Sequence, residues 1–183
     1  MPDGCREQEI LMRIILIGNI ITFIGALMMI GVGFIKSKKN IIIAQCGQFA
    51  VMGIGNLVLG GVTGFITNMV SIVRNLFCLK WPFTTPVKIV FIVIQIAISA
   101  SVNKSGLIGW LPIAATCIFT WFLDTENEIL LKWVIIFTVA MWIVYDLSLL
   151  NFSSAFFDVM TMISNAIGII MIKKKAKNDL QSL

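Results

Sequence analysis

Two sets of polar side chains are spaced to act together within a largely apolar chain. Asn68, Ser71 and Asn75 fall at i, i+3 and i+7, and Asp158, Thr161 and Asn165 repeat that spacing. Residues three and four apart share a helix face, so each set predicts one polar stripe along one helix. Two such stripes facing each other would offer hydrogen bonds in place of a solute's hydration water. The same groups can instead tie helices together, at about 0.6 kcal/mol per bond on average. Asp158 adds a carboxylate, which in apolar surroundings can carry a proton or hold a cationic solute. Asp146 lies four residues from the end of its apolar stretch, about 6 Å at 1.5 Å per residue. It reads as a group wetted from outside. Arg74 beside Asn75 reads as a snorkelling anchor, or as an inner gate that contacts anions.

Other chemistry is poorly supplied. The chain has no histidine, and so lacks the commonest general base and metal ligand. Cys5, Cys46, Cys78 and Cys117 are far apart without CxxC spacing, which suggests neither a disulfide framework nor a zinc site. No nucleophile–base arrangement can be assembled, so the expectation is a protein that is not an enzyme, with no cofactor and no metal. Net charge is +5, but the basic residues punctuate apolar stretches and form no nucleic-acid patch.

The elements that must position these groups are membrane helices. Of 183 residues, 58% are apolar and 13% charged, with mean hydropathy +0.98. Ordinary soluble domains run at roughly 45–50% apolar and about 25% charged. A chain of this size could not hide so much apolar surface from water, whereas a bilayer accepts it. Crossing the hydrocarbon core takes about 20 helical residues. Spans are expected at about 10–35, 41–59, 62–79, 87–102, 107–123, 129–150 and 153–172. The first run is longer than a signal h-region and no A-x-A site follows, so it reads as a span. Gly60-Gly61, the two-proline segment 80–86, Ser101–Gly106 and Asp124–Glu128 are the breaks between later spans. With the N-terminus outside, inner segments collect Lys36, Lys38, Lys39, Arg74, Lys80, Lys88, Lys132 and Lys173, Lys174, Lys175 and Lys177. The outer side collects Arg6, Arg13 and Lys104. That bias places the C-terminus in the cytoplasm.

A shift of 90 residues lays Asn56 on Asp146, Asn68 on Asp158, Ser71 on Thr161 and Asn75 on Asn165. Polar groups are costly in hydrocarbon and therefore sparse, so matched polar positions mean more than matched apolar ones. The shift pairs span two with six and three with seven. The expected fold is an all-α integral membrane protein, one membrane domain over 1–183. Two parallel three-helix repeats, 10–79 and 107–172, are joined by a linker helix at 87–102, with a basic cytoplasmic tail at 173–183. Parallel repeats occur in transporters, with substrate near their interface.

The stretch Trp142-Ile143-Val144-Tyr145-Asp146, followed by Asp158 and Asn165, resembles the YgjV family of bacterial inner membrane proteins. So do Leu59-Gly60-Gly61-Val62-Thr63-Gly64 and Ser71-Ile72-Val73-Arg74-Asn75. The likeness covers about residues 41–80 and 107–172. YgjV proteins are similar to the SWEET and SemiSWEET, PQ-loop and PnuC-type transporters; in SemiSWEETs a Trp on one helix and an Asn sixteen residues later on the next face the substrate cavity. Trp142 and Asp158 have that spacing, as do Met52 and Asn68. The resemblance implies a substrate site formed by Asn68, Trp142, Asp158 and Met52, with Asn75 and Asn165 below them. Asn56, Ser71, Arg74, Asp146 and Thr161 would support or gate it. Asp in place of Asn, Met in place of Trp, and the missing proline-glutamine dipeptide point to a different or charged ligand. The expected activity is alternating-access transport of a small polar solute, cationic or proton-coupled, in the bacterial plasma membrane. The alternative is a non-transporting scaffold or partner-binding bundle. A water-filled pocket between the repeats, lined by Asn68, Trp142 and Asp158, would favour transport, and a dry, fully packed bundle with an apolar lateral groove the scaffold. The lipid bilayer is the expected partner, and homo-oligomerisation stays open.

Overall fold

A computed structural model describes residues 3–32 and 37–181. Among them it has seven helices and no strand: α1 Asp3–Val32, α2 Lys38–Val58, α3 Val62–Cys78, α4 Thr85–Val102, α5 Trp110–Phe122, α6 Glu128–Ser148 and α7 Phe152–Gln181. Each corresponds to one expected span. Lys36, counted above in the charge bias, lies outside the described residues. The basic segment after residue 172 continues α7 as helix as far as Gln181.

Five helices (α1, α2, α4, α6 and α7) are long and apolar enough to cross a membrane. The other two are shorter. At 1.5 Å per residue α3 extends about 25 Å and α5 about 20 Å. Helix α5 begins at Trp110 and not at 107, because Gly106 takes a positive φ (57°) and residues 107–109 form a turn. Trp110 and Leu111 donate to the carbonyls of Leu107 and Ile108 in that turn. Pro112 sits in the first helical turn of α5, where no backbone N–H is needed. Pro86 likewise opens α4, so the segment 80–86 ends as a helix start. Asn127 caps α6 by accepting from the Leu130 N–H at 3.0 Å.

Burial is inverted relative to a water-soluble fold. Among the described residues eighteen polar or charged side chains are buried against eight apolar ones, while large Ile, Leu, Val and Phe side chains cover the outside. Hydrocarbon solvates that exterior, whereas polar groups must find partners inside. Trp81, Trp110 and Trp133 are all exposed, as suits the amphipathic indole at a membrane–water interface.

Helix contacts close a ring. α1 packs on α2 and α7, α2 on α3, α3 on α5, α5 on α6, and α6 on α7. α4 touches only α3 and α5 and so stands outside that ring. It is tied there by Gln95, whose Nε2 donates to Thr67 Oγ1 at 3.0 Å and Ser99 Oγ at 2.7 Å.

The two tight turns at one end of the bundle are built alike. After α2, Gly60 has φ 83°. There the Gly60 N–H bonds the Leu57 carbonyl (3.0 Å) and the Gly61 N–H the Asn56 carbonyl (2.7 Å). After α6, Leu150 has φ 58°, with Leu150 N–H on Leu147 (3.1 Å) and Asn151 N–H on Asp146 (2.9 Å). Both are Schellman stops, which satisfy the orphan carbonyls at a helix C-terminus. We call this the turn end, and the opposite end, which carries Lys39, Lys80, Lys88 and Lys132, the basic end.

Candidate functional site

The six-helix ring surrounds a cavity of about 300 Å³. Its wall comes from α1, α2, α3, α5, α6 and α7, with nothing from α4. Helix α2 contributes one face, Gln45, Gln48, Met52 and Asn56, at the three- and four-residue spacing that keeps a helical stripe aligned. Helix α3 contributes Asn68, Ser71 and Arg74, α6 contributes Thr138 and Trp142, and α7 contributes Ser154 and Asp158.

Four of the six side chains assigned to substrate contact meet at this cavity: Met52, Asn68, Trp142 and Asp158. Asn68 Nδ2 donates to its own helix at Gly64 (2.9 Å). The Trp142 ring stands edge-on to Tyr145 with centroids 5.8 Å apart. Asp158 has no hydrogen bond or ion pair to any described residue, although it borders the cavity. Asn56, Ser71 and Arg74 join the wall as well.

The lower ends of the two stripes do not reach the wall. Thr161 donates to the Phe157 carbonyl and Asn165 to the Thr161 carbonyl, each at 2.9 Å within α7. Such local side-chain bonds satisfy a polar group without any partner helix. Asn75 is buried, and its Oδ1 accepts from Arg74 Nε (3.4 Å) and Nη2 (3.3 Å). It therefore positions Arg74. Arg74 does not snorkel: it is 3% exposed. Its Nη1 donates to Thr120 Oγ1 at 2.7 Å, and its guanidinium lies 5.6 Å from the Phe119 ring centroid.

Asp146 corrects an expectation. It is 1% exposed and not wetted, because the chain folds the 149–151 turn back over it. Asn151 Nδ2 donates to Asp146 Oδ1 (3.3 Å) and to Asn56 Oδ1 (3.2 Å). Asn151 Oδ1 in turn accepts from Thr22 Oγ1 (2.8 Å) and from the Ser154 N–H (3.3 Å). One asparagine thus joins α1, α2, α6 and the start of α7 in a buried network at the turn end.

Tyr145 closes the same end from the other side. Its hydroxyl accepts from the Gly64 N–H (2.9 Å) and lies 3.1 Å from Thr63 Oγ1. Gly64 is the third residue of α3, so its N–H has no partner within the helix. Gly61, at the N-cap, has no side chain to supply one. The tyrosine fits only because both positions are glycine. A Cβ on Gly61 would lie 2.7 Å from the tyrosine oxygen, and one on Gly64 2.8 Å from its ring.

Sequence reasoning did not single out Gln45, Gln48, Thr116, Thr138, Ser154, Tyr145 or Asn151. The α2 stripe was readable from its spacing, and Gln48 and Thr138 are a polar pair at the 90-residue shift. Tyr145 and Asn151 act across the bundle and carry no local signature.

A family model described as "Bacterial inner membrane protein", Imp-YgjV, matches residues 16–176. No curated protein and no solved structure matches the chain.

Proposed function

Since the chain belongs to the Imp-YgjV family of bacterial inner membrane proteins, we propose that it carries a small polar solute across that membrane by alternating access. The observation that carries this reading is the cavity inside the helix ring, which has Asn68, Arg74 and Asp158 set among the Trp142 ring and other apolar side chains on its wall. A scaffold has no need of unpartnered polar groups on an internal wall, where each costs free energy.

The arrangement of the wall supports two equivalent halves. Met29 and Phe119, Gln45 and Ile135, Gln48 and Thr138, Phe49 and Val139, Met52 and Trp142, and Asn68 and Asp158 all border the cavity. Each pair is 90 residues apart. α2 and α6 also begin and end 90 residues apart, and Gly60 and Leu150, with their positive φ, are at the same shift. The contact of α1 with α7 is matched by that of α5 with α3. In this reading α1–α3 and α5–α7 are parallel three-helix bundles, α4 is the inverter between them, and the solute sits at their interface.

The positive-inside bias supports the basic end and C-terminus in the cytoplasm and the N-terminus outside. The turn end then faces outward, sealed by the Asn151 network and by Tyr145. Transport requires that seal to open as the basic end closes.

Proteoliposomes test the reading, with labelled sugars, vitamins, cations and zwitterions as the solute panel. Saturable uptake of one class is expected, together with its loss in Gln48→Trp, which fills the cavity from α2 while the protein stays folded. Wild-type uptake by Gln48→Trp, or no uptake of any solute by well-folded protein, would refute it.

A further inference from the structure

Two charged side chains border the cavity, one on each of two opposed helices. Around the ring, α3 and α7 are separated by two helices in either direction, so Arg74 and Asp158 look at the cavity from opposite walls. The remaining polar lining groups are neutral amides and hydroxyls. Among the described residues the ion pairs are Arg13–Glu9 and Lys88–Asp124, so neither wall charge has a counter-ion. Arg74 has five N–H donors, and three hydrogen bonds from it go to Asn75 and Thr120. Donors therefore remain for a ligand, and Asp158 accepts nothing from any described residue.

Placing a charge in a low-dielectric wall costs several kcal/mol unless a partner offsets it. A neutral solute would offset neither charge, and a simple cation or anion only one. A solute with both signs offsets the two together. We infer that the cavity is a zwitterion site, with the anionic group of the solute against Arg74 and its ammonium against Asp158. Arg74 lies six residues beyond Asn68 on α3, about 9 Å along the axis at 1.5 Å per residue. Asp158 shares the register of Asn68 in the two halves. The two charges of the solute therefore sit several ångströms apart on its chain. The inference rests on the proposed function in taking this cavity as the solute site and the two halves as equivalent.

Three probes of one length separate the possibilities: 5-aminopentanoate, pentanoate and pentylamine, titrated by calorimetry into the purified full-length protein in lipid nanodiscs. Wild-type protein should bind 5-aminopentanoate at least about tenfold more tightly than either single-charge analogue, about 1.4 kcal/mol. In Asp158→Asn the preference over pentanoate should vanish, while the preference over pentylamine remains. Arg74→Gln should show the converse, and Arg74→Lys, which keeps the charge if Arg74→Gln fails to fold, should retain the zwitterion preference. Equal binding of all three probes by wild type, or no saturable binding of 5-aminopentanoate, overturns the site. Binding without vesicle uptake would remove transport and leave the site. Uptake of a neutral solute without 5-aminopentanoate binding would remove the site and leave transport.

Discussion

Replacing Tyr145 with phenylalanine isolates the seal at the turn end. The ring stays, so packing against Gly61 and Gly64 is kept, but the hydroxyl that accepts from the Gly64 N–H at 2.9 Å is lost. That N–H belongs to the first turn of α3, where the helix itself supplies no acceptor, and it bonds the Tyr145 hydroxyl. If the bond were only an interhelical tie, its loss would cost about 0.6 kcal/mol, a change of roughly threefold. Leaving a buried donor unsatisfied costs more, about 1–3 kcal/mol. The state sealed at the turn end carries that cost, whereas the opened state lets water reach the N–H. Tyr145→Phe should therefore shift the balance toward turn-end opening by about 5- to 150-fold. A cysteine placed at Gln48 on the cavity wall reads that shift through its rate of labelling by a membrane-impermeant maleimide. Labelling from the turn-end side of oriented vesicles should accelerate over that range. A change of less than threefold would refute the account of Tyr145 as the cap that holds the seal. Tyr145→Leu, which loses the ring as well, should lower the melting temperature further.

Five other substitutions follow from local geometry. Gly64→Ala places a Cβ 2.8 Å from the Tyr145 ring and should cost about 1–3 kcal/mol through overpacking. Gly31→Ala, with nothing within 4 Å, should leave the detergent melting temperature unchanged or raise it. The Lys88–Asp124 pair is lopsided, since Lys88 is 10% and Asp124 51% exposed. Lys88→Met leaves a solvated carboxylate and should cost under about 1 kcal/mol. Asp124→Asn takes the counter-ion from a buried ammonium that keeps only the Trp121 carbonyl at 3.3 Å, and should cost more, about 1–3 kcal/mol, so equal denaturation midpoints would count against the pair. Leu150 holds φ 58° with its side chain 43% exposed. Leu150→Gly should relieve about 1 kcal/mol of left-handed strain and raise the melting temperature, and a lowered one would show that the Leu150 side chain matters more.

The sequence by itself determined the class of the protein, its number of helices and their order. Hydrophobic length and turn residues are local properties, and a bilayer makes them nearly sufficient because each spanning segment satisfies its backbone internally. The resemblance to the SemiSWEET spacing also grouped Met52, Asn68, Trp142 and Asp158 from the sequence, and these do share a cavity. Helical spacing could say which residues share a face, but not how far along the helix that face meets the cavity. Only the tertiary structure decided that Asp158 borders the cavity while Thr161 and Asn165 turn to their own backbone. It also buried Arg74 and Asp146, one against Thr120 and Asn75, the other under Asn151. Those outcomes depend on partners as far as 46 residues away and on glycines that admit a tyrosine from another helix. The composition of a single helix holds no record of such contacts, because it sets what a side chain needs and the packing of the other helices sets where that need is met.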